Sequence, residues 1–328
     1  MNVWWTPRTE LEGSLAADVA RLRGWFREQA LRERPIAWGV GSAWSFLDNH
    51  LAPFLLLNEE LFRVPQALLE AGFPVAIPVE LIEGGAGLIS QLPRLGIRVH
   101  AMVVSRPQPS SVSEDLLDRY VAFRDPIICK QTGELGTAAV KVLLDDTDQV
   151  GLLTAGHVFP KGVGSPVEQK QRRFLGLARR VELGYVSHHV APSGADPAWD
   201  AAVITLSKPG ASAWSRPITN LLRRFEEVVP VVSYGALSGV VSNAAVLQGA
   251  LVEGGAGETR WNNCWMLAPV GVLTKGDSGA AVFTRKGDFL GLFVGTSWVD
   301  RKTNLLTHYV QDAHSLQEEV LSRWKCHF

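Results

Sequence analysis

The chain has 328 residues, 46% of them apolar and 20% charged, with 11 tryptophans and 13 phenylalanines. That length suggests about two domains, and that much apolar and aromatic content excludes a largely disordered chain. The formal net charge of -1 leaves no basic field over the whole chain, so nucleic acid is not an expected partner.

Residues 9–33 read as a helix. Thr9 and Glu12 have capping-box spacing, and Leu11, Leu15, Val19, Leu22 and Phe26 fall on one face. Pro35 closes that run. A second, shorter helix is expected between Asn58 and Ala71, with Gly72 as its stop. Val75–Ile82 and Ile97–Val104 are rich in β-branched residues and read as strands. Ser105–Glu114, with the sequence SRPQPSSVSE, reads as a Pro/Ser linker. Residues 1–118 are therefore expected to form a small α+β domain.

The texture changes after the linker. Short β-rich runs alternate with turn residues: Ile127–Gln131, Gly136–Leu144, Gln149–Thr154, Leu177–Ser187, Ala202–Leu206, Val228–Tyr234, Val240–Glu253, Cys264–Leu267, Ala280–Phe283, Phe289–Gly295 and Leu305–Val310. Many short strands so spaced point to an all-β sandwich or barrel pair. A helix over residues 312–324 closes the chain, with Ala313, Leu316, Val320 and Leu321 on one face.

Three stretches carry chemistry in a meaningful order. They are Leu153-Thr154-Ala155-Gly156-His157-Val158, Trp199-Asp200-Ala201-Ala202-Val203-Ile204 and Lys275-Gly276-Asp277-Ser278-Gly279-Ala280. Histidine, aspartate and serine follow one another in the chain order of one of the three unrelated forms of the catalytic triad. From about Asp125 to the C-terminus the chain resembles the trypsin-like (chymotrypsin-fold) serine proteases. TAGH, DAAV and GDSG stand where that family carries its three catalytic residues, although Ala280 replaces a commoner glycine. Tyr234–Gly239 is similar to the hairpin that opens the second barrel in many bacterial members.

The resemblance implies a mainly β protein of two antiparallel six-stranded barrels with a C-terminal helix, preceded by the small α+β domain. The protease domain would span residues 119–328, with barrels over about 125–215 and 222–311. It also implies roles. His157 would take the proton of Ser278, because a free serine hydroxyl is a poor nucleophile. Asp200 would orient the imidazole. The N–H groups of Gly276 and Ser278 would form the oxyanion hole, where one donor is worth about 3 kcal/mol. Asp277 would brace that loop from inside. His188 and His189 are rival bases, but they lie in a polar run, and Asp196 is a rival acid, but Pro197 follows it.

Some features depart from the family. Arg124-Asp125-Pro126-Ile127-Ile128 does not match the amino terminus that animal enzymes expose by cleavage, so the brace for Asp277 must come from elsewhere. Val158 stands where those enzymes have a cysteine. The substrate pocket would be shaped by Val272 and Leu273 and by the strand at Val294, Gly295 and Thr296, whose backbone would pair with the substrate. Val272 offers no carboxylate, so a small or medium apolar residue is expected before the cut bond.

Cys129, Cys264 and Cys326 are too few for a disulfide scaffold and show no metal-type spacing. Residues 1–13 lack the apolar core of a secretory signal. No run reaches the ~18 apolar residues of a membrane span. The expectation is a cytoplasmic serine endopeptidase acting on protein or peptide substrates, with no metal or cofactor and no membrane. A regulatory protein partner and latency fit the same reading. Its rival is a silent pseudo-protease that binds a partner without turnover. The front domain either stabilises the protease or restrains it.

Overall fold

The computed structural model describes residues 17, 18, 20–22 and 25, and then residues 35–328 apart from 45–48, 71–76, 97, 106–107, 110–111, 114–125, 146–148, 173–177, 193–198, 208–217, 219, 223–228, 254–259, 268–272 and 303–304. The expected helix over residues 9–33 lies almost wholly outside the described residues, as does Asp196.

The front of the chain contributes β1 (Pro35–Trp44), β2 (Asn49–Asn58), β3 (Ile77–Pro78), β4 (His100–Val104), β5 (Gln108–Pro109) and β6 (Val112–Ser113). A first group follows: β7 (Ile127–Cys129), β8 (Glu134–Gly136), β9 (Val140–Leu144), β10 (Gln149–Thr154), β11 (Pro166–Arg172), β12 (Ala178–Val190) and β13 (Ala201–Leu206). The second group is β14 (Val229–Gly235), β15 (Gly239–Glu253), β16 (Arg260–Asn262), β17 (Cys264–Leu267), β18 (Ala281–Thr284), β19 (Phe289–Asp300) and β20 (Leu305–Asp312). The short strand β21 (Cys326–His327) returns to pair with β9.

Both groups use one topology. The first sheet runs β9-β10-β13-β12-β11-β7, and the second runs β14-β18-β19-β20-β17-β15 with β15 back on β14. With β8 and β16 left out, the six remaining strands of each group have the same spatial order: first, fourth, fifth, sixth, third, second. Every one of these pairings is antiparallel. A sheet that curls in this way buries one face and removes most of its edges.

The front strands extend the second sheet. β1 pairs with β15, β2 with β1, and β4 lies parallel to β2. From Leu55 to Leu57 and along β4, this layer is buried on both sides. Leu56, Met102 and Val104 join the core of the first sheet, while Leu55, Leu57, Ala101 and Val103 face a separate cluster with Phe62, Ile77 and Val79. Side chains alternate along a strand, and burial of both faces explains why Leu55-Leu56-Leu57 is continuously apolar.

Three expectations at the front need correction. The helix expected from Asn58 to Ala71 is the helix Gln66–Glu70 alone, because Asn58 ends β2 and its side-chain oxygen accepts the Glu60 N–H at 3.0 Å in a turn. Of Val75–Ile82, the described residues form a strand only at Ile77–Pro78, followed by a 3-10 turn over Val79–Leu81, since Pro78 has no N–H to donate to a ladder. The Pro/Ser linker contains two short strands, β5 and β6. At the other end, the expected closing helix forms as Ala313–Leu316 and continues as a π-type turn over Gln317–Leu321. Asp312 caps it by accepting the Ser315 N–H at 2.8 Å.

Candidate active site

His157, Asp200 and Ser278 come from different parts of the chain and meet at the junction of the two sheets. β10 carries the apolar run into a 3-10 turn, Gly156–Val158, that holds His157. Asp200 immediately precedes β13, which pairs with β10 in register at Thr154 and Ala202. Ser278 stands in the turn before β18. Imidazole Nδ1 lies 2.6 Å from Asp200 Oδ2, and Nε2 lies 2.7 Å from Ser278 Oγ. The His157 backbone N–H also donates to Asp200 Oδ1 at 2.8 Å. An ionised carboxylate only accepts, so Nδ1 carries the proton and Nε2 presents a lone pair to the serine hydroxyl.

Two further residues hold the acid. The Trp261 indole N–H donates to Asp200 Oδ2 at 2.9 Å, and the Gln311 side-chain oxygen accepts the Asp200 backbone N–H at 2.8 Å. Burial pushes the Asp200 carboxyl up. The imidazole charge and the hydrogen bonds from His157 and Trp261 together outweigh it and leave the carboxyl below its ordinary value. Sequence reasoning missed Trp261 and Gln311. They lie 61 and 111 residues from Asp200, and no local spacing signals them.

Gly276 has φ +98°, a region that costs other residues energy and glycine very little. Neither the Gly276 nor the Ser278 N–H has an acceptor in the protein among the described residues. The loop is pinned from beneath by Asp277. Its Oδ1 accepts the N–H groups of Leu237 and Ser238 at 2.8 and 3.2 Å. Its Oδ2 accepts the Thr274 N–H at 3.0 Å and the Ser238 and Thr274 hydroxyls. No cation pairs with Asp277 among the described residues, so backbone donors and hydroxyls do the bracing. Burial nonetheless dominates and pushes this carboxyl up.

The other candidates fall as follows. Val272 lies outside the described residues. Leu273 is buried in the core of the second sheet with Trp265, Phe293 and Val310, and Val294 is buried in the larger core. Gly295 and Thr296 do pair with an added strand, and that strand is β5 of the same chain. His189 Nε2 lies 3.0 Å from the Gly156 carbonyl oxygen, and His188 stacks near Trp324, so neither contacts Ser278. Glu134 on β8 feels the His157 charge, and burial pushes its carboxyl up. Among the described residues no group of side chains is arranged to hold a metal ion.

The fold is a chymotrypsin-like double barrel. Neither a protein-family model nor a curated protein matches the sequence. Among solved structures the chain is similar to the Nocardiopsis protease NAPase, at 15% identity over 61% of this chain and 94% of that one, with a TM-score of 0.41. It is similar to a glutamic acid specific serine protease at 18% identity, over 61% of this chain and 96% of that one, with a TM-score of 0.42. The Cellulomonas bogoriensis chymotrypsin matches at 15% identity, over 59% of this chain and 92% of that one, with a TM-score of 0.38. The same six-strand order in both sheets, with the site between them, is what makes the fold a double barrel.

Proposed function

We propose that the protein is a serine endopeptidase working through an acyl-enzyme. The observation that carries this is the relay Asp200–His157–Ser278, with contacts of 2.6 and 2.7 Å. His157 takes the Ser278 proton as Oγ attacks a peptide carbonyl, then gives it to the leaving amine. The Gly276 and Ser278 N–H groups receive the developing oxyanion. Buried Asp200 stabilises the imidazolium.

The substrate is a protein or peptide held as an added strand on β19. Residues 1–118 form a unit that restrains the protease domain, residues 119–328. Three buried cysteines outside any disulfide, Cys129, Cys264 and Cys326, suit a reducing cytoplasm. Among the described residues no helix is long and apolar enough to cross a membrane.

A fluorophosphonate probe tests the reading. Labelling of the wild type that disappears in both Ser278→Ala and His157→Ala is the expected result. A wild-type chain that never labels, in any cleaved or partner-bound form, refutes it and leaves the pseudo-protease.

A further inference from the structure

β8 is the strand of the first sheet that runs up to Ser278. The Thr137 N–H, just beyond the end of β8, donates to the Ser278 carbonyl oxygen at 2.7 Å. One residue earlier, a Cβ added at Gly136 would lie 2.8 and 3.0 Å from the Val158 methyls and 3.1 Å from that same carbonyl oxygen. This face of β8 is therefore laid against the turn that carries His157 and against the serine. Side chains alternate along a strand. Leu135 points the other way, into a small cluster with Ile128 and Leu237. Glu134 leaves β8 on the same face as Gly136, two residues and about 7 Å back along the strand.

The Glu134 carboxyl is only partly served. Its Oε2 is buried without a hydrogen-bond partner, and among the described residues no cation pairs with it. Lys130, the nearest lysine in sequence, pairs with Glu168 instead, at 3.3 Å. β6 runs beside β8 and pairs Val112 and Ser113 with Leu135 and Glu134. That pairing uses the backbone edge and gives the carboxyl no donor. Burial pushes the carboxyl up and the His157 charge pulls it down, so the two side chains sense one another. A buried acceptor without a donor costs free energy that a bound partner recovers. Glu134 as a whole is half-buried, so solvent and ligand can reach it.

His157 hands the serine proton to the leaving amine. The first residue after the cut bond therefore starts beside the imidazole, whereas the residues before it lie along β19 of the other sheet. Glu134 is on the imidazole side. We propose that Glu134 selects substrates with lysine or arginine at the first or second position after the cut bond. This rests on the protease reading above and names a substrate class for it. An ammonium or guanidinium group supplies the donor that Oε2 lacks and balances the carboxylate charge. Leucine at that position leaves the carboxyl unpaired, and an acidic residue meets a like charge.

The purified full chain is given a mixture of synthetic peptides of random sequence, and mass spectrometry reads the new ends. Lysine and arginine are expected to be enriched at one of the two positions. Two peptides that differ only in lysine or leucine there then give a ratio of kcat/KM. Glu134→Gln is expected to lower that ratio about tenfold or more, and Glu134→Lys to turn the preference towards glutamate. Fluorophosphonate labelling of each protein is read alongside and reports a reactive serine. A wild type that labels but cuts with no basic preference, or cuts no peptide, overturns the role of Glu134 and leaves the protease reading to stand on the labelling. A lysine-to-leucine ratio that Glu134→Gln leaves unchanged overturns it too. A wild type that neither labels nor cuts takes down the protease reading and this assignment with it.

Discussion

The Trp261 indole N–H reaches the same carboxylate oxygen of Asp200, Oδ2, that His157 Nδ1 reaches, at 2.9 and 2.6 Å respectively. One buried oxygen therefore serves two donors, and the indole helps to hold the carboxylate facing the imidazole. Trp261 is itself fully buried and stacks on Tyr309 at 6.4 Å between ring centroids.

Trp261→Phe keeps one aromatic ring and removes the donor together with the pyrrole part of the indole. A hydrogen bond to a charged group is worth about 1.5–3 kcal/mol, so kcat on a peptide substrate is expected to fall about tenfold to a hundredfold with KM little changed. Stability shifts in a set direction. The Asp200 carboxyl lies below its ordinary value, so its contribution is fully present above the unfolded value. It is lost as pH falls through the lowered folded value. Without the indole donor the folded value rises, and acid unfolding followed by circular dichroism is expected to begin at higher pH than in wild type. An unchanged acid midpoint and an unchanged kcat would show that Trp261 only fills space.

Asp200→Asn retains the shape of the acid while removing its charge. The amide leaves the wrong imidazole nitrogen protonated, and in the general triad template such a change costs about 10⁴ in kcat. The same loss is expected here, together with slow fluorophosphonate labelling. Residual activity within a few fold of wild type would mean that Asp200 does not orient His157.

Asp277 titrates in the opposite sense to Asp200. Burial pushes its carboxyl up despite five donors. The folded state therefore binds a proton that the unfolded state has lost, and this contribution is present below the unfolded value and fades as pH rises through the folded one. Urea unfolding of wild type and Asp277→Asn across mildly acidic pH checks this. The stability of wild type relative to the variant is expected to decline as pH rises through that window. The variant is expected to be less stable throughout, because its amide group points N–H donors at N–H donors. A stability difference that does not change with pH would refute the assignment.

The three chemical residues were legible because each lies in a short local motif whose order along the chain is informative. Strands β10 and β17 were legible to the residue, since each is a short apolar stretch set off by its neighbours, buried throughout in β17 and from Gly151 on in β10. β11 was not. Its sequence PVEQKQR places Gln169, almost fully buried, on the inward face beside Val167, and a buried glutamine breaks the alternation that marks a half-buried strand. The pairing of β1 with β15 was not legible, because it is made across some two hundred residues. The linker was legible as a linker by its prolines and serines. Its pairing with β19 and β8 was not, because two-residue strands are fixed by the surface they meet and leave no pattern of their own.

Gly276 and Gly287 offer a matched pair. Both have strongly positive φ, +98° and +100°. Gly276 precedes Asp277 and Ser278 in the loop, whereas Gly287 sits in the turn that joins β18 to β19, where its N–H donates to the Thr284 carbonyl at 3.0 Å. An alanine at either position carries backbone strain of about 1–3 kcal/mol, so both variants are expected to lose similar thermal stability. Only Gly276→Ala is expected to slow fluorophosphonate labelling, by roughly tenfold to a hundredfold, because relief of its strain turns the N–H that would meet the oxyanion. Equal slowing in both variants would show that labelling follows global stability, and the oxyanion role of Gly276 would be lost.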